Sequence, residues 1–243
     1  MAWRYEPQYD PDYKDPAAVP EEVKPWIRGE QYVWDGTAHL PNFKEDVLAY
    51  WGACLTLARK LVQIFALSLD LDEHYFDEKV TYPGADGVFN YYPVTTIEEK
   101  ESDAVGLGSH TDLQLFTLLW QDYDVGGLQV LNKEGQWIKA PPIKETIVVN
   151  IGDFMMRLCN DLYKSTVHRV YNRTEVERVS MPFFFGASPL PWRYLLLLTL
   201  HSRPEFQLRR RRNTNLYVSR EPTKIRANLV WRLVSVTLHA RSR

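Results

Sequence analysis

Cysteine is almost missing from this chain: Cys54 and Cys159 are the only two in 243 residues. Two thiols in a chain of this length do not make a disulfide framework, so reduced cysteines in a cytoplasmic protein are expected. Long apolar runs are also missing. Val47 to Leu55 is the longest, and only if Gly52 is counted, whereas a membrane helix needs about 20 apolar residues. The start, Met1-Ala2-Trp3-Arg4-Tyr5-Glu6-Pro7, is polar and proline-punctuated and carries no apolar signal core. A soluble protein without a membrane partner is expected. What is abundant is aromatic: 8 Trp, 14 Tyr and 10 Phe within 45% apolar residues. That composition is globular, and the length suits one domain with a sizeable core.

One short stretch organises the chemistry, Ser109-His110-Thr111-Asp112, together with a second histidine, His168. In an extended strand, residues two apart point to the same face. His110 and Asp112 can then aim an imidazole and a carboxylate at one point while Thr111 faces away. If the chain folds back so that His168 reaches that point, two nitrogens and one oxygen occupy one face of a metal and leave the other open. That donor set suits non-haem Fe(II), which needs free positions for a co-substrate and O₂. His-x-Asp alone is a weak signal, because such short motifs occur by chance. The context strengthens it. Asn90-Tyr91-Tyr92-Pro93 lies ahead of the pair, and Arg178-Val179-Ser180 follows His168 and leads into Met181-Pro182-Phe183-Phe184-Phe185.

In order and spacing these four parts resemble the Fe(II)/2-oxoglutarate-dependent dioxygenases of the isopenicillin N synthase-like family, from about Pro41 to Gly186. The resemblance implies a mainly β fold with flanking helices, a double-stranded β-helix or jelly roll. It implies Fe(II) on His110, Asp112 and His168. It also implies 2-oxoglutarate with its distal carboxylate on Arg178 and Ser180, Tyr92 assisting and Asn90 near the metal. O₂ would be the oxidant and ascorbate a helpful reductant. The outcome would be hydroxylation, desaturation or ring closure of a small specialised metabolite, with release of succinate and CO₂. Phe183, Phe185 and Met155 are candidates for the substrate pocket. Two rival functions stand beside this one. A same-family oxidase would use Arg178 and Ser180 for a substrate carboxylate, and a truncated paralogue would be catalytically inactive. Monomer is the default oligomeric state.

The chain divides into 1–40, 41–186 and 187–243. Pro7, Pro11, Pro16, Pro20 and Pro25 break any long helix in the first segment, which is expected to lie across the domain surface with its aromatics tucked in. Family members usually carry a longer region before this point. Asn42-Phe43-Lys44-Glu45 has the pattern of a capping box. Phe43, Val47, Trp51, Leu55, Ala58, Val62 and Phe65 then recur at helical spacing, giving an apolar face to pad a sheet. A second short helix is expected over Leu71 to Lys79 with Asp70 as cap. Strands are expected at Val88–Tyr92, Leu113–Trp120, Thr146–Ile151 and Lys164–Tyr171, with a hairpin about Asn132-Lys133-Glu134-Gly135. His39, His74, His201 and His239 receive no role.

From Ala187 onward the texture changes. That segment carries 12 Lys and Arg against 2 Asp and Glu, while the rest carries 17 against 29, and the whole chain sums to −2. A split of this kind needs an explanation. A translated intron or shifted frame, a divergent tail, and an arginine-rich arm for nucleic acid all compete. The abrupt shift within a recognisable motif favours the first. No binding module accompanies the arginines, so nucleic acid is not an expected partner.

Overall fold

The computed structural model describes residues 1–12, 16–96, 106–122, 124–172 and 174–188. Along them run β1 (Ala2–Arg4), α1 (Gln31–Thr37), α2 (Phe43–Ser68), β2 (Ala85–Val88), β3 (Asn90–Tyr92), β4 (Leu107–His110), β5 (Phe116–Gln121), β6 (Leu128–Leu131), β7 (Trp137–Lys139), β8 (Val148–Ile151), α3 (Asp153–Leu158), β9 (His168–Val170) and β10 (Arg178–Phe185). The larger sheet has the order β1-β2-β10-β5-β8, with β3 also paired to β10; the smaller has the order β4-β9-β6-β7. Every pairing is antiparallel. From β4 to β10 the chain passes back and forth between the two sheets, staying in the smaller one only for the β6–β7 hairpin, which is the expected double-stranded β-helix with helices on one flank.

Strand β10 shows why each face is what it is. Residues two apart share a face. Phe183 and Phe185 look outward and pack under α2, where the Trp51 and Phe183 rings lie 4.9 Å apart, edge to face. Arg178 and Ser180 look the other way and are equally buried. Helix α2 forms as its periodicity predicts: Val47, Trp51, Leu55, Ala58, Val62 and Phe65 are all buried on the core side. Burying a side chain of that size is worth about 1.5–3 kcal/mol, so this face fixes the helix to the sheet.

The first forty residues are knitted into this core. β1 pairs with β2, placing Trp3 opposite Gly87. A Cβ on Gly87 would fall 2.5 Å from the Trp3 ring, so glycine there is what lets the indole lie flat on the sheet. Tyr5, Trp34, Val19 and Val23 are buried as well. Arg59 of α2 clamps this segment, giving Asp10 two bonds of 2.7 and 2.6 Å, while the Tyr5 hydroxyl donates to the same carboxylate at 2.7 Å.

Several local expectations need correcting. No capping box forms: Asn42 has φ 60° and makes no side-chain cap, because the turn before the helix places it in the left-handed region. No helix spans Leu71 to Lys79; a 3-10 turn at Asp77–Val80 replaces it, and Asp70 also sits at positive φ, 58°. His74, given no role, is exposed and meets Asp77 at 2.7 Å. Helix α1 has no counterpart among the sequence expectations. The strand expected from Leu113 begins only at Phe116, and the one expected from Lys164 begins at His168. In both places the chain is crossing from one sheet to the other. The hairpin about Asn132 to Gly135 forms as expected, with Val130 opposite Ile138. Residues 97–105, within a charged stretch from Thr95 to Val105 that the sequence suggests as a loop, and those beyond Ser188 lie outside the described residues.

Candidate metal centre

His110 ends β4 and His168 begins β9, and the two are register partners. Asp112 is not on the strand. It lies in the crossover from β4 to β5, so the period-two argument for His-x-Asp is replaced by a turn held from both sides. Asp153 N–H donates to the Asp112 carbonyl at 2.7 Å. Thr111, facing away as expected, donates to the Asp153 carboxylate at 3.1 Å. Gly152 makes this turn possible, since a Cβ there would sit 2.1 Å from the Gln114 carbonyl oxygen.

The three side chains converge. His110 Nε2 and His168 Nε2 each lie 3.7 Å from Asp112 Oδ1, and all three ligand atoms lie within 4.8 Å of one another. Their other atoms are occupied in a way that points these ones inward. His110 Nδ1 meets the Gly108 carbonyl at 2.7 Å and His168 Nδ1 meets the Thr166 carbonyl at 3.0 Å. A carbonyl only accepts, so each Nδ1 carries the hydrogen and each Nε2 presents its lone pair. Asp112 Oδ2 accepts from Thr117 Oγ1 at 2.5 Å and Asn150 Nδ2 at 2.7 Å, which leaves Oδ1 for a cation. Two imidazoles and one oxygen on one side of a point, with the carboxylate only 5% exposed, fit a divalent transition metal with open positions.

Arg178 is completely buried. One nitrogen, Nη2, donates to Gln121 Oε1 at 3.1 Å. Among the described residues, Nε and Nη1 have no hydrogen-bond partner. The guanidinium carbon lies 4.9 Å from the centre of the Tyr92 ring. Burial pulls the Arg178 pKa below its ordinary value, and Tyr92 only partly offsets that. Gly127 gives room for the side chain, because a Cβ there would come 3.2 Å from Arg178 Cδ and 3.0 Å from the Tyr171 carbonyl. A buried cation with two unused donors is costly unless an anion meets it. Ser180 is buried two residues along the same face; Tyr92 stands opposite Arg178 and Asn90 opposite Ser180.

Sequence reasoning misses Thr117, Asn150 and Gln121. Asn150 has a readable signal: it is the one polar residue in Val148-Val149-Asn150-Ile151. Thr117 and Gln121 give none. Phe183, Phe185 and Met155 do not face this site. They are 0%, 0% and 1% exposed in the core with α2, because they occupy the outward parity of β10 and the core side of α3.

Residues 86–187 match the model of the 2OG-Fe(II) oxygenase superfamily. The chain is 52% identical over 188 residues to the 2-oxoglutarate-Fe(II) type oxidoreductase ppzC of Metarhizium rileyi, covering 75% of this chain and 50% of that protein. It is 43% identical over 149 residues to the 2-oxoglutarate-Fe(II) type oxidoreductase hxnY of Emericella nidulans, covering 61% and 42%. Among solved structures, a full-length Neurospora crassa protein in complex with alpha-KG and thymine superposes with TM-score 0.60 at 30% identity, over 76% of this chain and 53% of that one. JOX2 in complex with 2OG, Fe and JA does so with TM-score 0.60 at 30% identity, over 76% and 48%. The chain thus spans about half the length of the curated relatives it matches. With the fold, the metal-ligand triad and these likenesses in agreement, residues 86–187 form a domain of the 2OG-Fe(II) oxygenase superfamily.

Proposed function

We propose that this chain is an Fe(II)- and 2-oxoglutarate-dependent oxygenase that oxidises a small-molecule metabolite, with residues 41–186 as its oxygenase domain. The observation that carries this reading is Arg178: a fully buried guanidinium with two unpartnered nitrogens, on the inner face of the fold that also holds the His110, Asp112 and His168 ligand atoms. Arg178, with the Ser180 hydroxyl and Tyr92 beside it, would hold the distal carboxylate of 2-oxoglutarate, an anion that suits a guanidinium fork. Asn90, the register partner of Ser180 on β3, would lie near the metal.

His110, Asp112 and His168 would hold Fe(II). When bound, iron and 2-oxoglutarate supply the O₂ chemistry, which yields succinate, CO₂ and an oxidised substrate. The protein's own residues do the positioning. Thr117 and Asn150 fix which Asp112 oxygen faces the metal, and the Gly108 and Thr166 carbonyls fix the imidazole tautomers. Small ligands in the relatives' structures, thymine in one and JA in another, support a small-molecule substrate. The proposal places the chain in the cytoplasm as a monomer. Both cysteines are buried and free, the state that a reducing compartment maintains. Among the described residues no helix is long and apolar enough to cross a membrane.

Succinate formation without a prime substrate tests the reading. Purified protein receives Fe(II), ascorbate and 2-oxoglutarate, beside His168→Ala and Arg178→Ala. Slow turnover lost in both variants supports the proposal. Iron binding without succinate would move the function to an oxidase in which Arg178 holds a substrate carboxylate. Neither turnover nor iron binding would make the chain an inactive paralogue.

A further inference from the structure

One row of residues crosses the inner face of the larger sheet at the level of the metal ligands. Arg4 pairs with Asp86, Asp86 with Phe184, Phe184 with Thr117, and Thr117 with Asn150. Its far end is the pair that orients Asp112. Arg178 lies six residues from Phe184 along β10, about 20 Å away at 3.3 Å per residue. The co-substrate therefore has one end of this face, and the Asp86 end is left for something else.

Asp86 is built to accept. Its side chain is 40% exposed, so a ligand can reach it. Oδ2 accepts from Gln114 Nε2 at 3.0 Å. Among the described residues, Oδ1 meets Arg4 Nε at 3.6 Å, too far for a hydrogen bond. Arg4 is divided, because its Nη1 lies equally far, 3.6 Å, from Glu30. Two carboxylates thus share one loosely held guanidinium that is itself 52% exposed. Gln114 Oε1 is a buried acceptor without a partner among the described residues. Burial raises the Asp86 pKa, Glu30 adds to this, and Arg4 and Gln114 compensate only in part. Phe184 stands between Asp86 and Thr117, offering an apolar face and a ring that tolerates a cation.

Resting on the oxygenase reading above, we propose that Asp86 is a specificity-determining residue that binds a cationic group, an amine or guanidinium, on the prime substrate. Two inter-strand spacings separate Asp86 from Thr117, about 10 Å. A straight chain of about six carbons with a charged head spans that distance. The substrate class is therefore an aliphatic amine or guanidine, lying over Phe184 with its carbon chain toward the metal ligands.

Three probes of one chain length separate charge from shape: n-hexylamine, 1-hexanol and hexanoate. Their binding is measured by calorimetry without O₂ on protein loaded with Fe(II) and 2-oxoglutarate. Hexylamine is expected to bind at least about tenfold tighter than the other two, the scale of one charged hydrogen bond. Asp86→Asn should remove that preference and Asp86→Glu should keep it. Arg4→Gln, which removes the competing cation, should tighten hexylamine severalfold. Equal binding of the three probes, no binding of any, or a preference that survives Asp86→Asn would overturn the proposal. Substrate-free succinate formation by the unaltered protein reads the oxygenase assignment separately. Amine preference without turnover leaves the Asp86 subsite standing and removes the oxygenase reading; turnover without amine preference does the reverse.

Discussion

His110 and His168 face one another as register partners across the β4–β9 pair, with ring centres 4.3 Å apart. The pairing shifts register between Leu107 and His110, so this end of the smaller sheet is joined by few backbone bonds. A divalent metal on both Nε2 atoms ties the two strands together at that point. Metal should therefore raise the melting temperature. At about 100 times its Kd it adds about 2.7 kcal/mol, or about 5–10 °C for a domain of this size. His168→Ala should melt at one temperature with or without Fe(II); a variant that is still stabilised by metal would remove His168 from the ligand set.

Thr117 and Asn150 together hold Asp112 Oδ2, and removing either frees the carboxylate to rotate. Thr117→Val and Asn150→Ala should each weaken Fe(II) binding about 10- to 100-fold, the usual cost of losing a partner that orients a ligand. Saturating iron should restore most of the turnover, and the KM for 2-oxoglutarate should barely move, because Arg178 is untouched. Iron titration by fluorescence quenching, beside the KM measurement, checks both halves. A rise in KM alone would contradict the assigned role.

Much of this site is legible from residue types at fixed spacing, yet the physical reason for one part is different. His110 and Asp112 do meet at a point, but not through strand alternation. The chain leaves β4 immediately after His110, and the crossover turn does the aiming. A turn that depends on Gly152 leaving space for Gln114, far away in sequence, has no local signature. The helix face from Phe43 to Phe65 is readable because periodicity is local and burial enforces it. The capping box fails because a cap needs a particular φ at Asn42, and tertiary packing of the preceding turn sets another. Phe183 and Phe185 look like cavity residues by their nearness to the motif, although parity puts them opposite Arg178. Apolar residues near a motif are as readily the core behind the sheet as the pocket in front of it.

Arg178 is the clearest energetic test. In the absence of an anion its guanidinium is buried with Nε and Nη1 unpartnered. Arg178→Met keeps the stem volume and removes the charge. The ligand-free variant should therefore be more stable than the parent, by about 1–4 kcal/mol as for other buried charges replaced by apolar groups, less what the loss of the Gln121 bond costs. The same variant should show no thermal shift with 2-oxoglutarate, whereas the parent should. Denaturant melts with and without 2-oxoglutarate check this. A destabilised variant that still responds to 2-oxoglutarate would place the anion elsewhere.

The N-terminal clamp sets the acid limit of stability. Asp10, with its side chain 2% exposed, pairs with Arg59, 18% exposed, at 2.6 Å. Burial alone would raise the Asp10 pKa. The bonds and charge of Arg59, with the Tyr5 hydroxyl and the Asp12 N–H, outweigh it and hold the carboxyl below its ordinary value. A carboxylate with a depressed folded-state pKa contributes stability that is present above the unfolded pKa, about 3.9, and is lost as pH falls through the lower folded value. The parent should therefore keep this contribution at neutral pH and shed it below about pH 4. Asp10→Asn leaves Arg59 without its buried partner and should cost about 3 kcal/mol at pH 7. Its acid limb should be flatter, because the group that titrates is gone. Urea melts of both proteins from neutral pH to pH 3 would show the two curves converging; parallel curves would mean that Asp10 contributes through packing and not through its charge.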